Sequence, residues 1–173
     1  MSISLITGPM WSGKSTELFR RLRRAQHAGQ PTRLYKYARD TRYVGRQELA
    51  ASHDGVHHEA IPVTRLDPSE IETKTVIGID EGQFIENLTP FCERAAELGC
   101  TVIVSALDSD FMRNGFPRIQ ELWPKCEHVD KLQAVCFLCR GEASFTQRID
   151  KKKTSVEDIG GEEKYRAVCR RCF

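Results

Sequence analysis

Apolar residues along this chain gather into short dense runs, and the runs follow two different periods. "SISLIT" (2–7), "TRLYKYA" (32–38), "TVIGID" (75–80) and "CTVIVSAL" (100–107) are rich in β-branched and aromatic residues and read as strands. The last two are apolar without alternation, as strands covered on both faces are. Between the runs the period lengthens. Residues 16–28 set Leu18, Leu22 and Ala25 at i, i+4 and i+7 and stop at Gly29, and Leu88 to Leu98 makes a second such segment closed by Gly99. Strands alternating with helices predict a parallel sheet with helices packed on both sides. After about Lys131 the pattern changes to short segments with a "KKK" run, an "IGG" and two CxxC pairs, with little apolar mass between them. A piece that small needs a staple.

The first strand runs directly into "GPMWSGKST" (8–16), where Gly8, Gly13, Lys14 and Ser15 fit GxxxxGK[ST] between a strand and a helix. In such a loop the glycines let backbone N–H groups turn inward on phosphate oxygens, and the helix N-terminus adds its partial positive charge. Lys14 would reach the β and γ phosphates and Ser15 would ligate magnesium. The loop calls for a second carboxylate at the end of a neighbouring strand. "TVIGIDEGQF" supplies Asp80 for the metal and Glu81 as a candidate general base. A glutamate there activates water in an ATPase and a hydroxyl in a kinase, so the acceptor stays open.

Cys136/Cys139 and Cys169/Cys172 form the two CxxC pairs, with 29 residues between Cys139 and Cys169. Four thiolates from two such turns close a tetrahedral zinc site with no open position for catalysis. The spacing is longer than in a compact zinc ribbon, so the metal would pin the base of a long loop; four separate thiols or a redox pair are the alternatives. Within that loop Gly160 and Gly161 permit close backbone approach to a ligand, and Tyr165 offers a ring with a polar tip. Phe111 and Phe116 follow the C-terminal end of a strand, where parallel sheets bind ligands, or else anchor a loop.

Composition narrows the function classes. The chain of 173 residues holds one core and a small satellite, and 40% hydrophobic with 29% charged residues is the make-up of a soluble globular protein. A net charge of +2 and 8% aromatics give no platform for a nucleic-acid partner, and no run approaches the ~20 apolar residues of a membrane span. "MSISLITG" lacks the pattern of a signal peptide, which favours a cytoplasmic protein. Cys92, Cys100 and Cys126 read as buried small hydrophobes, the histidines near 53–58 as surface or loop residues, and Arg20, Arg21, Arg23 and Arg24 as a solvated helix face.

Taken together, "GPMWSGKSTEL", "YARDTRY", "VIGIDEGQF", "TVIVSALD", "AVCFLC" and "IGGEEKYRAVCRRC" closely resemble the type II (cytosolic) thymidine kinases, in that family's order and spacing from residue 8 to residue 172. The resemblance implies a RecA-like P-loop α/β core at 1–132 and a small zinc-binding domain at 133–173 carrying a lasso loop over the nucleoside. It implies that Gly8, Pro9, Met10, Trp11, Ser12, Gly13, Lys14 and Ser15 cradle the ATP phosphates. Asp40, Thr41, Arg42, Asp80 and Gln83 would complete the phosphate and magnesium side, with Glu81 as the base. Phe111, Val156, Glu157, Asp158, Ile159, Gly160 and Tyr165 would line the thymidine pocket, and Met10, Phe84, Leu107, Phe116 and Thr146 match positions around the base.

Two positions depart from the family pattern. Trp11 replaces a common Phe, and Asp158 stands where an apolar lasso residue is frequent. The chain ends one residue after Cys172, so the C-terminal tail through which animal relatives are regulated is absent or removed. The resemblance further implies structural zinc, magnesium with ATP, a homotetramer, and feedback inhibition by thymidine triphosphate. Thymine offers a donor at N3 where cytosine has an acceptor, so a main-chain reader would leave polar groups unpaired against cytosine. The rival class is a zinc-containing P-loop ATPase that acts on nucleic acid.

Overall fold

The computed structural model describes residues 1–40, 49–51, 57–149 and 163–173. The expected site residues Thr41, Arg42, Val156, Glu157, Asp158, Ile159 and Gly160 lie outside them, as does His53. The elements in chain order are β1 (Ser2–Thr7), α1 (Lys14–His27), β2 (Thr32–Tyr37), β3 (Leu49–Ala51), β4 (His57–Glu59), β5 (Ile61–Val63), β6 (Val76–Asp80), α2 (Leu88–Glu97), β7 (Thr101–Ala106), α3 (Pro117–Leu122), β8 (His128–Lys131), β9 (Ala134–Val135), β10 (Glu142–Ala143), β11 (Phe145–Arg148) and β12 (Tyr165–Val168).

Six strands form one sheet in the order β5-β2-β6-β7-β1-β8, and each of its pairings is parallel. The α/β class with a parallel sheet is therefore the one the apolar runs predict. Each face carries its own core. On one side α1 packs Leu18, Phe19, Leu22 and Ala25 against Ile6, Leu34, Val76 and Ile103. On the other, α2 and α3 bring Phe91, Ala95, Ile119 and Leu122 onto Ile3, Leu5, Ile77, Ile79, Val102 and Val104. Alternate residues of β6 thus enter opposite cores, as the period of two requires. Gly78 interrupts that strand because α1 lies so close: a Cβ there would stand 2.7 Å from Leu22 Cδ1.

The helix over 16–28 begins earlier than expected, at Lys14, because the loop's own Lys14 and Ser15 form its first turn. Gly13 precedes it at φ 82, and no side chain caps it, which leaves the first-turn N–H groups for a ligand. On its outer side Arg20 and Arg21 pair with Glu17, and Arg21 also reaches Asp130 of β8 at 2.8 Å. The solvated arginine face is thus partly a tie between α1 and the sheet edge. His58 departs from the expected surface position: it is half-buried, with its ring 4.5 Å from that of Phe19.

Beyond β8 the chain builds two antiparallel ribbons, β9 with β10 and β11 with β12. They enclose a small core of Ala134, Cys136, Ala143, Ala167 and Val168, against which Trp11 of the loop is packed. This Cys-rich lobe meets the sheet at the phosphate loop itself. Leu132 donates its N–H to Thr7 O at 2.7 Å, and a Cβ on Gly8 would fall 2.4 Å from Leu132 O. Gly8, at φ 143, thus serves both the loop's conformation and the passage of this connection.

Candidate active site

Parallel register fixes the site. Ile79 of β6 lies beside Val104 of β7, and Thr7 of β1 beside Ala106, so the strand ends reach one rim with β7 between the loop strand and the carboxylate strand. Ser15 Oγ, in the first turn of α1, donates to Asp80 Oδ1 across that gap at 3.1 Å. The loop is held by its own side chains: Lys14 Nζ and Ser12 Oγ both donate to Pro9 O, at 2.7 and 2.9 Å. Trp11 at φ 61 and Gly13 at φ 82 take left-handed backbone conformations, the alternation that turns successive N–H groups into an anion-binding concavity.

Asp80 is only 6% exposed. Burial, and then the negative charge of Glu81, push its carboxyl up to about 6; Asp40 adds to the rise, while hydrogen bonds from Ser105 and Ser15 oppose it. The Asp80 carboxylate and the Ser15 hydroxyl, 3.1 Å apart, are oxygen donors of the kind a hard divalent cation takes. Glu81 sits at φ 56, immediately before a tight turn at Gly82–Phe84. Gly82 lets that turn approach β7, since a Cβ there would lie 2.7 Å from Val104 Cγ1. Gln83 Nε2 then donates to Glu81 Oε2 at 2.5 Å, and Leu107 N donates to Gln83 Oε1 at 3.1 Å.

The expected acceptor-side residues fall into separate groups, one on the sheet and others that join the two parts of the chain. Phe84 and Phe116 meet edge to face at 5.6 Å between centroids, and Tyr37 backs Phe84 at 5.3 Å. Met10 N, within the phosphate loop, donates to Thr146 Oγ1 of β11 at 3.0 Å. Tyr165 pairs in register with Arg148, whose guanidinium lies 5.6 Å from the Tyr165 ring and 5.2 Å from that of Phe111. Arg148, 6% exposed, is the one buried cation of this group that the sequence reading missed. Its signal was the alternation in "FTQR", which puts Thr146 and Arg148 on the same buried face of β11.

The sulfurs of Cys136, Cys139, Cys169 and Cys172 all lie within 4.8 Å of one another, and Cys139 Sγ is 3.7 Å from Cys169 Sγ. Tetrahedral Zn–S bonds of about 2.3 Å require S···S edges of about 3.8 Å, so this cluster suits a structural zinc. Backbone N–H groups support the thiolates. Those of Cys139, Cys169 and Leu138 hold the Cys136 thiol down at about 6, and that of Cys172 lowers Cys169. Cys92 and Cys100 are fully buried as expected, whereas Cys126 is half-buried.

A GxxxxGK[ST] loop opening a parallel sheet, a strand-end aspartate bonded to its serine and a second lobe against the loop mark a P-loop nucleotide-binding protein. The chain belongs to the thymidine kinase family, whose model matches residues 1–173. It is 46% identical to the thymidine kinase of Myxoma virus (strain Lausanne), over 99% of this chain and 95% of that protein. To the cytosolic thymidine kinase of Bos taurus it is 48% identical, over 99% of this chain and 71% of the relative, and to that of Gallus gallus 49%, over 99% and 76%. Among the described residues no helix is long and apolar enough to cross a membrane.

The raised carboxyl of Asp80 has a measurable consequence. With its folded value above the ordinary aspartate value, the group's stabilising contribution is fully present below about pH 4 and is lost as pH rises through about 6. Without magnesium, the melting temperature of the wild type should therefore fall relative to that of Asp80→Asn between about pH 5 and pH 7. Magnesium with ATP should narrow the gap. A difference that stays flat across this range would contradict the buried-charge account.

Proposed function

We propose that the protein transfers the γ-phosphoryl group of ATP to the 5′-hydroxyl of thymidine. The observation that carries this reading is the hydrogen bond from Met10 N to Thr146 Oγ1, which draws the acceptor-side residues up to the phosphate loop. The loop's inward N–H groups and Lys14 bind the phosphates, and Ser15 and Asp80 hold magnesium with them. When bound, magnesium neutralises charge on the phosphates. Glu81 accepts the proton of the 5′-hydroxyl as its oxygen attacks the γ-phosphorus; the bond to the bridging oxygen breaks and ADP leaves. Phe84, Phe116, Leu107 and Phe111 supply apolar walls that exclude competing water, and the main chain of 156–160 reads the base.

Residues 1–132 act in this reading as the nucleotide-binding core and 133–173 as the lobe that completes the acceptor side. The names of the animal relatives accord with a cytosolic protein. Thymidine triphosphate, with its base in the acceptor pocket and its phosphates on the loop, would act as a feedback inhibitor, and the working assembly is a homotetramer.

ATP consumption measured with thymidine, deoxycytidine, single-stranded DNA or no acceptor separates this reading from the nucleic-acid-dependent ATPase. Thymidine alone should drive turnover, and Glu81→Gln should lower it by roughly 10²–10⁴-fold with ATP binding retained. Stimulation by DNA, or near-normal turnover in Glu81→Gln, would refute the respective assignment.

The four-cysteine cluster should carry about one zinc per chain in elemental analysis of protein purified reduced and without chelator. Protein that is folded and active yet free of zinc would remove the metal from the account.

A further inference from the structure

Gln83 is 1% exposed, and both ends of its amide are engaged within the protein. The nitrogen and oxygen of such an amide are told apart by their partners. The backbone N–H of Leu107 can only donate, so the amide oxygen must face it at 3.1 Å. The amino end is thereby turned to Glu81 Oε2 at 2.5 Å, where it can only donate. A fixed donor from the core thus meets one oxygen of the carboxylate. Leu107 directly follows β7, and the close approach at Gly82 holds the turn against that strand. Even the main chain of Gln83 is tied, its carbonyl accepting from Arg118 Nη1 at 3.4 Å.

We propose that Gln83 is a positioning residue for Glu81: it fixes the carboxylate's orientation from the end of β7. The proposal rests on the reading of Glu81 as the base. A glutamate has three side-chain torsions, and a reacting group displaced by about 1 Å loses on the order of 10² in rate. Holding one carboxylate oxygen against a buried amide fixes the plane of the carboxylate. Because Leu107 also borders the expected acceptor pocket, the same bond keeps that pocket's wall and the base in one geometry.

The test is a double-mutant cycle on kcat and on KM for each substrate. Gln83→Leu keeps similar volume and removes both hydrogen bonds. Gln83→Glu keeps an acceptor for Leu107 N and replaces the donor with a like charge, so it carries the cycle if Gln83→Leu fails to melt cooperatively. Either variant should lower kcat by about 10–100-fold with both KM values within about twofold. Added to Glu81→Gln, neither should slow turnover further, since the group it orients is already gone. A raised KM for ATP, or the same fold-loss repeated in the Glu81→Gln background, would place Gln83 on the phosphate side and overturn the proposal. Normal kcat in Gln83→Glu would overturn it as well. Normal kcat in Glu81→Gln alone would instead remove the base assignment on which the proposal stands.

Discussion

A carboxylate set among apolar strands has to be answered by hydrogen bonds and a cation, and Asp80 imposes that requirement on everything around it. Its strand is buried on both faces, so its own flanks offer the charge no water. Ser105 of β7 and Ser15 of α1 supply hydroxyls, and the parallel register of β6, β7 and β1 brings both within reach. A slip of one residue in either pairing would turn the side chains to the opposite faces and separate the donors from the acid. Sheet order, the early start of α1 and the glycine at 78 that lets this helix lie close are conditions for setting both hydroxyls on Asp80.

The second lobe is bound to the same place. Ties to the sheet side run through the phosphate loop, with Leu132 beside Gly8, Thr146 on Met10 N and the ring of Trp11 on the small core behind the cysteines, and through Arg148 on Phe111 and Arg113 on Phe173. A lobe whose apolar core is five small side chains cannot order itself by burial alone, and four clustered cysteines that suit a metal would supply what it lacks. The direct bonds also mean that disorder in the lobe reaches the loop. The two halves of the proposed chemistry are therefore distinct in what holds them together, yet touch through a hydrogen bond and a few ring contacts.

Much of this was legible in the chain. The buried strands announce themselves by unbroken β-branched runs, and the phosphate loop and strand-end acids carry chemistry at fixed spacing. The cysteine pairs foretell their cluster, because metal-ligand spacing is local while the gap between pairs is free. What escaped the sequence depends on tertiary partners. β5 and β8 are short edge strands, one three residues long with a proline at its centre and the other mostly polar, and both look like loop until a neighbour pairs with them. For Arg148 the alternation in "FTQR" hints at a shared face with Thr146, but what buries it, Tyr165 of β12 and Phe111 from across the fold, comes from tertiary structure. The orientation of the Gln83 amide is set by Leu107, 24 positions away along the chain. Thr41, Arg42 and 156–160 rest on the family resemblance.

The central claim is that the sheet builds the phosphate side and the metal-pinned lobe completes the acceptor side. Equilibrium binding of ATP and of thymidine to Cys169→Ser, each titrated separately, tests it most directly. The account predicts that thymidine affinity collapses while ATP still binds to the sheet core, weakened only as far as the lost Met10–Thr146 contact allows. Equal loss of both affinities would contradict it and make the metal a support of the whole fold.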